Sequence, residues 1–262
     1  MYVLIIRVII RVIIRVIIRV IIRVLRRTGR NASVRRMDPN IAGAIVEFPL
    51  PPPTALAAIE TLIALDPDFS SILGRAGPLP WRRRTPGFPG LLQAIVAQMI
   101  SNQAAAAIWG RLRAVPKALD PAGLMTLTDE VLRAAGLSRP KVVHARALAT
   151  AFLDGTLSAE RLAMLDDEAA IVTIGSIKGM GRWTAEIYLL FALDRLDVFP
   201  SGDIALAAAL ADLKSLPARP GPVALRQIAT AWQPVRSLAA RLLWHHWRHV
   251  TGRPAMDDFK LV

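Results

Sequence analysis

Residues 177–203 decide the fold of this chain, and their sequence is IKGMGRWTAEIYLLFALDRLDVFPSGD. Two glycines, Gly179 and Gly181, stand one residue apart directly before a helical pattern. Glycine allows positive φ angles and leaves room for another group to approach the backbone. The free N–H groups at the start of a helix bind anions, and phosphate above all. This stretch therefore predicts a glycine turn that presents a helix N-terminus to a phosphate group.

Apolar residues at helical spacing flank this turn on both sides. The segment 169–174 ends at Gly175, and in the segment 182–193 the apolar positions i, i+4, i+7 and i+8 are Trp183, Ile187, Leu190 and Phe191. We therefore predict a hairpin of two helices over residues 169–193. A glycine pair before a helix is also a common packing turn, so this motif needs support from elsewhere in the chain.

A lone aspartate follows the hairpin. The run 196–200 predicts a short extended segment, and Ser201-Gly202-Asp203 leads into a strongly helical pattern over 204–213. Aspartate is a preferred N-cap residue, and that role alone accounts for Asp203. The same carboxylate can also orient a water molecule and face a developing positive charge. Asp203 is therefore the candidate catalytic residue, with a purely structural cap as the alternative.

The remaining pattern predicts an all-α protein. Helical periodicity covers 55–65, 69–73, 129–135 and 140–153, together with 91–115, which has a predicted break near residues 99–102. Residues 78–89 predict an irregular basic loop in which the arginines at 82–84 contact phosphates or lie in solvent. Alternating strand patterns are scarce outside the N-terminal tract.

Composition restricts the class of protein. The hydrophobic content is 53%, which is enough for a sizeable core, and no cysteine is present. The lack of cysteine excludes disulfides, thiolate zinc sites and cysteine-ligated iron–sulfur clusters. The net charge is +13, but residues 1–36 hold ten arginines and no acid. Residues 37–262 retain 23 basic and 20 acidic residues, so any nucleic-acid-binding face must be local.

The N-terminal tract repeats Arg-Val-Ile-Ile from Arg7 to Arg23. An arginine at every fourth position argues against a membrane span, since each would cost roughly 2.5 kcal/mol at the bilayer centre. No uninterrupted apolar core supports a secretory signal. Two interpretations of the tract remain open. It is a translated tandem repeat, with the working protein beginning near Met37, or it is a segment that binds a membrane surface or an anionic polymer. We expect residues 1–36 outside the fold, a linker at 37–54 and one globular domain over 55–262.

The hairpin and its aspartate resemble the helix–hairpin–helix (HhH-GPD) DNA glycosylase superfamily, most of all its bacterial 3-methyladenine DNA glycosylase II branch. Asp203 lies twenty residues after Trp183, as in that family. Further family-like segments occur in the same order, namely 98–101, 136–138 with Lys141, and 234–237 with Trp244. The resemblance covers most of residues 55–250. It implies two helical subdomains with a DNA-binding cleft between them.

The resemblance also assigns roles to residues. It implies a catalytic Asp203 and DNA-backbone contacts from the hairpin residues Lys178, Gly179, Met180, Gly181, Arg182 and Thr184. It implies a wedge that fills the base stack, formed by Gln98 and Met99, although Met99 is also a plausible core filler. Aromatic residues would form the base pocket, where Val235 replaces a common aromatic residue, and the candidates are Trp183, Tyr188 and Trp232.

No side-chain metal site and no cofactor are expected, apart from a monovalent cation on hairpin backbone carbonyls that the resemblance implies. His245 and His249 would lie one turn apart on a helix, but no third ligand or acid is near them, so for His245, His246 and His249 we expect a basic helix face.

The resemblance implies a monofunctional enzyme. Family members with lyase activity carry a lysine nucleophile where this chain has Trp183, and an indole cannot form a Schiff base. The expected activity is hydrolytic removal of alkylated bases, such as 3-methyladenine or 7-methylguanine, from damaged double-stranded DNA during base excision repair. We expect a cytoplasmic, nucleoid-associated monomer without a membrane partner. The alternative is a non-catalytic DNA-binding module in which Asp203 only caps a helix.

Overall fold

The structure, a computed structural model, describes residues 51–254. The predictions for the tract 1–36 and for most of the linker at 37–54 lie outside the described residues. Within 51–254 the chain forms thirteen α-helices and two short 3₁₀ turns, at 67–69 and 230–232, and no strand. The predicted all-α class is confirmed.

The helices are numbered in chain order. The first six are α1 Pro53–Leu65, α2 Ser70–Ala76, α3 Phe88–Ala97, α4 Asn102–Ala114, α5 Pro121–Thr126 and α6 Asp129–Ala134. The other seven are α7 Arg139–Leu153, α8 Ala159–Met164, α9 Asp167–Gly175, α10 Arg182–Ala192, α11 Ile204–Leu213, α12 Pro222–Ala229 and α13 Arg236–Thr251. Among the described residues, no helix has the length and apolar character needed to cross a membrane.

The buried side chains form two hydrophobic cores. The first core is formed by side chains of α3 to α10 and extends along the chain from Phe88 to Val198. The second collects α1, α2 and α11 to α13. Helix α10 belongs to both, because Tyr188 and Leu189 pack in the first core while Leu190 packs in the second. The predicted pair of helical subdomains is therefore present, and the second helix of the hairpin joins them.

The predicted helix break lies between α3 and α4. Helix α3 ends at Ala97, and Ser101 starts α4 as its N-cap, where its hydroxyl accepts a hydrogen bond from the Ala104 N–H at 3.2 Å. Between them, Met99 has a φ of 57°, in the left-handed region that favours glycine. The backbone therefore reverses sharply at Met99 and leaves that residue on the surface.

The basic loop is irregular, as predicted, and its three arginines differ in exposure. Arg82 is buried, and the backbone N–H of Arg84 donates to the Phe191 carbonyl at 2.8 Å. The Arg84 guanidinium lies 5.5 Å from the Phe191 ring centroid, and Arg83 forms an ion pair with Asp194 at 2.6 Å. These contacts hold the loop against the end of α10. Arg82 is therefore not a solvated side chain, whereas Arg83 is exposed and a phosphate contact from it stays a prediction.

Candidate active site

The hairpin consists of α9, a turn and α10. Gly179 has a φ of 85°, and a Cβ atom at this position would overlap the imidazole ring of His144 on α7. Met180 is buried, and its N–H donates to the Ile177 carbonyl at 3.0 Å. Gly179 is therefore required by the fold itself, through both its backbone angle and its packing against His144.

Gly181 is different, because the fold does not require a glycine there. Its φ of −89° suits any residue, and a Cβ atom would meet nothing within 4 Å. It is the N-cap of α10 and provides no side-chain hydrogen bond to the helix start. The first N–H groups of a helix have no partner within the helix. The open space at Gly181 leaves this N-terminus accessible to a group from outside the protein.

Asp203 is the N-cap of α11, as predicted. Its Oδ1 atom accepts hydrogen bonds from the N–H groups of Ala205 at 2.9 Å and Leu206 at 3.0 Å. Two indole N–H groups also bind the carboxylate: Trp244 donates to Oδ1 at 3.2 Å and Trp183 donates to Oδ2 at 3.1 Å. Four donors therefore fix the carboxylate of a half-buried residue.

The four donors are unevenly shared between the two oxygens. Oδ1 accepts three hydrogen bonds, whereas Oδ2 accepts one, from Trp183. Each carboxylate oxygen offers about two lone-pair directions. Oδ2 is thus the oxygen with capacity left for a water molecule or a reacting group, and Oδ1 serves as the anchor of the side chain.

Gln98 connects the helix break to the hairpin. Its side-chain amide donates to the Gly179 carbonyl at 3.0 Å and to the Thr184 hydroxyl at 3.1 Å. Its neighbour Met99 is 99% exposed. The alternative that Met99 fills the core is therefore wrong, and its role as a wedge stays a prediction.

Comparison with known proteins identifies the family. The HhH-GPD superfamily base excision DNA repair protein family matches residues 92–234, which are more than half of the chain. The chain belongs to this family. The match includes the helix break, the hairpin and Asp203, and the predicted family is confirmed.

Relatives of this HhH-GPD protein are named for 3-methyladenine. It is 30% identical over 158 residues to DNA-3-methyladenine glycosylase 1 of Schizosaccharomyces pombe, covering 59% of this chain and 69% of the relative. It is 28% identical over 188 residues to DNA-3-methyladenine glycosylase 2 of Escherichia coli, covering 66% and 64%. The solved structure of the S. pombe 3-methyladenine DNA glycosylase in complex with abasic DNA superposes with a TM-score of 0.67 at 27% identity, covering 73% of this chain and 95% of that one.

Two of the three aromatic residues predicted for the base pocket lie in the cores. Tyr188 is fully buried, and its hydroxyl accepts a hydrogen bond from the Gly87 N–H at 2.8 Å. Trp232 is 1% exposed and donates to Asp66 at 2.9 Å. Neither ring has a free face for stacking, so both are removed from the candidate pocket, and of the three only Trp183 contacts Asp203.

Trp244 was not among the predicted pocket residues. It is half-buried on α13, and its ring stacks on Phe191 with centroids 5.6 Å apart and an angle of 27° between the planes. It contacts Asp203 across 41 positions of sequence, and Trp244 itself lies outside the residues that the family match covers. The resemblance had pointed to its helix, but no local pattern indicated its bond to the carboxylate.

The side chain of Arg182 is paired with two acidic residues. Its guanidinium forms two hydrogen bonds to Glu168, at 2.7 and 2.8 Å, and a third to Glu186 at 2.9 Å. The bonds to Glu168 raise the pKa of Arg182. Burial raises the pKa of Glu186 to about 7, although Arg182 acts in the opposite direction. Three of its five N–H groups are thus engaged, but the side chain is 44% exposed, so its contact with DNA stays a prediction.

The other predicted hairpin residues divide by exposure. Lys178 is exposed, next to the turn. The Thr184 side chain is buried and engaged with Gln98. The hairpin groups placed to meet an external anion are therefore the backbone N–H groups at the start of α10, the Lys178 ammonium and the remaining N–H groups of Arg182.

Two of the three C-terminal histidines do not lie on the expected basic face, whereas His249 is exposed. His245 and His246 are buried, the first bonded to the Gly77 carbonyl at 3.0 Å and the second to Asp212 at 2.7 Å. Burial lowers the pKa of His245, so its imidazole favours the neutral form. Within residues 51–254, no group of three or more possible metal ligands comes together.

Proposed function

We propose that this protein is a DNA glycosylase that removes alkylated bases, of the 3-methyladenine or 7-methylguanine type, from double-stranded DNA. The observation that carries the proposal is the carboxylate of Asp203, which four donors fix while Oδ2 keeps capacity for a reacting group. Family membership supports glycosylase chemistry. The names of the relatives support alkylated purines as the class of substrate.

The proposed mechanism follows from the chemistry of an N-alkylated base. Such a base already carries positive charge, so the bond between its nitrogen and the sugar C1′ breaks without prior protonation. The bonding electrons leave with the base, and C1′ becomes cationic, like an oxocarbenium ion. The fixed carboxylate of Asp203 stabilises this charge. A water molecule oriented by Oδ2 then attacks C1′, and its proton passes to Asp203 as the general base.

A general acid is not needed in this scheme, and the structure offers no obvious one next to Asp203 among the described residues. Glu186 has a raised pKa, but it is 4% exposed and bound to Arg182. It therefore cannot reach a leaving base. This arrangement favours substrates whose own charge weakens the glycosidic bond.

The hairpin would hold the damaged strand. A DNA phosphate fits the open N-terminus of α10 at Gly181, where it would accept hydrogen bonds from backbone N–H groups. Lys178 would add a charge-assisted contact. The carbonyl oxygens of Ile177 and Gly179 each accept one hydrogen bond and have a second lone pair, so these oxygens fit the monovalent cation that the family implies. A bound cation would supply further positive charge towards the same phosphate.

Met99 would fill the base stack after the damaged base leaves it. Its apolar side chain is fully exposed at a fixed turn, which is what an intercalating wedge requires. Gln98 would hold this wedge in a constant position relative to the hairpin through its two hydrogen bonds. The extruded base would then lie near Trp183, whose electron-rich ring attracts a cationic base.

The product would be an abasic site in an uncut strand. Trp183 occupies the family position of the lyase nucleophile, and an indole cannot attack C1′ as an amine does. The test is to incubate methylated duplex DNA with the full chain and identify the released bases by chromatography. We expect free 3-methyladenine or 7-methylguanine, and strand breaks only after alkali.

Borohydride trapping tests the lyase question separately. We expect no covalent complex with DNA, either from the parent or from Trp183→Lys, because a working nucleophile also needs a lowered pKa and correct placement. A trapped complex from the parent would contradict the monofunctional assignment. One from Trp183→Lys would show that the site is already arranged for lyase chemistry.

A further inference from the structure

Met99 is an exposed thioether at a functional turn. Its side chain is 99% exposed, and its φ of 57° belongs to the tight reversal between α3 and α4. Gln98 on one side is bonded to the hairpin, and Ser101 on the other caps α4. Packing therefore does not shield the sulfur from small solutes, and the turn that carries it is held in place.

The other methionines provide an internal comparison. Of the seven in the chain, Met1, Met37 and Met256 lie outside the described residues. Met164, at the end of α8, is 88% exposed, and Met125 on α5 is 40% exposed. Met180, inside the hairpin, is only 3% exposed. Met99 and Met164 thus form a matched pair of accessible methionines, of which only Met99 adjoins the candidate active site.

We propose that Met99 is an oxidation site through which peroxide lowers base release by this protein. The inference rests on the proposed function, because it concerns the wedge. Hydrogen peroxide transfers one oxygen atom to the thioether sulfur: the O–O bond breaks, a sulfur–oxygen bond forms and water leaves. The sulfur is oxidised and the peroxide is reduced. A methionine sulfoxide reductase with a thiol reductant reverses the change.

The sulfoxide would oppose the work of a wedge. It is a polar acceptor, and inserting it between stacked bases removes its water without offering a donor in return. Gln98 is bonded to Gly179 and Thr184, so the backbone that carries the sulfoxide stays at the position assigned to the wedge. An exposed side chain has little packing to lose. Oxidation should therefore slow base extrusion and release while leaving the fold intact.

The experiment treats the full-length parent, Met99→Leu and Met164→Leu with hydrogen peroxide, removes the peroxide with catalase, and compares each protein with its own untreated sample. The readouts are single-turnover base release from methylated duplex DNA, the sites of added oxygen by peptide mass spectrometry, and circular dichroism for the fold. Leucine keeps an apolar side chain of similar size but cannot form a sulfoxide.

We expect the parent and Met164→Leu each to lose about tenfold or more of their rate, equal to about 1.4 kcal/mol at 25 °C. Met99→Leu should keep its own rate, and reductase treatment should restore that of the parent. An equal loss in Met99→Leu, or an unchanged rate in a parent fully oxidised at Met99, would overturn the inference. The absence of base release before any treatment would instead overturn the proposed function, and the inference with it.

Discussion

Replacing Gly181 by aspartate puts a carboxylate on the N-terminus that we assign to a DNA phosphate. Gly181 has an ordinary backbone conformation and open space around its Cβ position, so the new side chain fits without strain. It would lie within reach of the N–H groups that start α10. The carboxylate would therefore cap the helix in the free protein and would compete with, and repel, a phosphate in the complex.

The expected effects on stability and on DNA affinity have opposite signs. Aspartate is a better N-cap than glycine by a few tenths of a kcal/mol, and loss of glycine's freedom in the unfolded chain adds about 0.4–1 kcal/mol. The free protein should thus be as stable as the parent or slightly more stable. Two like charges about 4 Å apart repel by about 1 kcal/mol in water and about 4 kcal/mol near a protein surface. DNA affinity should fall by about fivefold to several hundredfold.

Gly221 provides the matched control. It is the N-cap of α12, with a φ of −70°, no side-chain cap and nothing within 4 Å of its Cβ position. Gly221→Asp therefore makes the same change of charge at the same kind of helix start. We expect its DNA affinity to stay within about twofold of the parent, since we assign no phosphate contact to this N-terminus and salt screens charges that do not touch the DNA.

The assay is fluorescence anisotropy with a duplex that carries an abasic-site analogue, measured at several salt concentrations, beside denaturant unfolding of each protein. Gly181→Asp should bind more weakly and with a salt slope reduced by about one, as expected for one lost phosphate contact. If Gly181→Asp folds normally and binds as well as Gly221→Asp, the N-terminus of α10 does not hold a phosphate and the reasoning fails.

Two further predictions concern the carboxylates. Trp183→Phe removes the one hydrogen-bond donor to Oδ2 of Asp203, whereas Trp244→Phe leaves two backbone donors on Oδ1. The rate of single-turnover base release should therefore fall about ten- to hundredfold in Trp183→Phe and less in Trp244→Phe. Equal losses would show that the two oxygens are not used differently. Burial raises the pKa of Glu186 from 4.5 to about 7. Between these two pH values, the folded protein therefore keeps a proton on Glu186 that the unfolded chain has released. The stability contributed by this group should therefore fall as pH rises from about 4.5 to 7, by up to about 3 kcal/mol, and Glu186→Gln should flatten that part of the curve in urea unfolding. A pH profile of the variant that matches the parent would contradict this.

The parts of the site with local sequence signals were predictable. The glycine pair indicated the hairpin, and the helical pattern after Asp203 indicated that this residue is an N-cap. The predicted helix break is also present, since α3 ends at Ala97 and Ser101 caps α4. Each of these features depends on residues within about five positions of one another. Helices α5 and α8 were missed, because six residues are too few to show a period. Helix α6 is equally short, but Gly136 marks its C-terminal end in the sequence.

The contacts between distant residues were not predictable. Trp183 and Tyr188 both lie on α10, but five residues turn a helix by about 140°, so one ring reaches Asp203 while the other enters the first core. Helix α10 is apolar on most of its surface, so its pattern does not show which side opens to the site. The ion pair between Arg182 and Glu168 depends on how α9 packs against α10, and no local rule predicts that packing.

The central claim is that Asp203 performs chemistry in addition to capping α11. Asparagine is an equally good N-cap, so Asp203→Asn keeps the bonds to the backbone of α11 and should lose at most about 1–2 kcal/mol of stability through the contact with Trp183. The decisive measurement is single-turnover base release from methylated duplex DNA by the parent and by this variant, with DNA affinity measured in parallel. We expect release by the parent alone, with similar binding by both proteins. Substantial release by Asp203→Asn would contradict the account, and binding without release by either protein would favour a non-catalytic DNA-binding module.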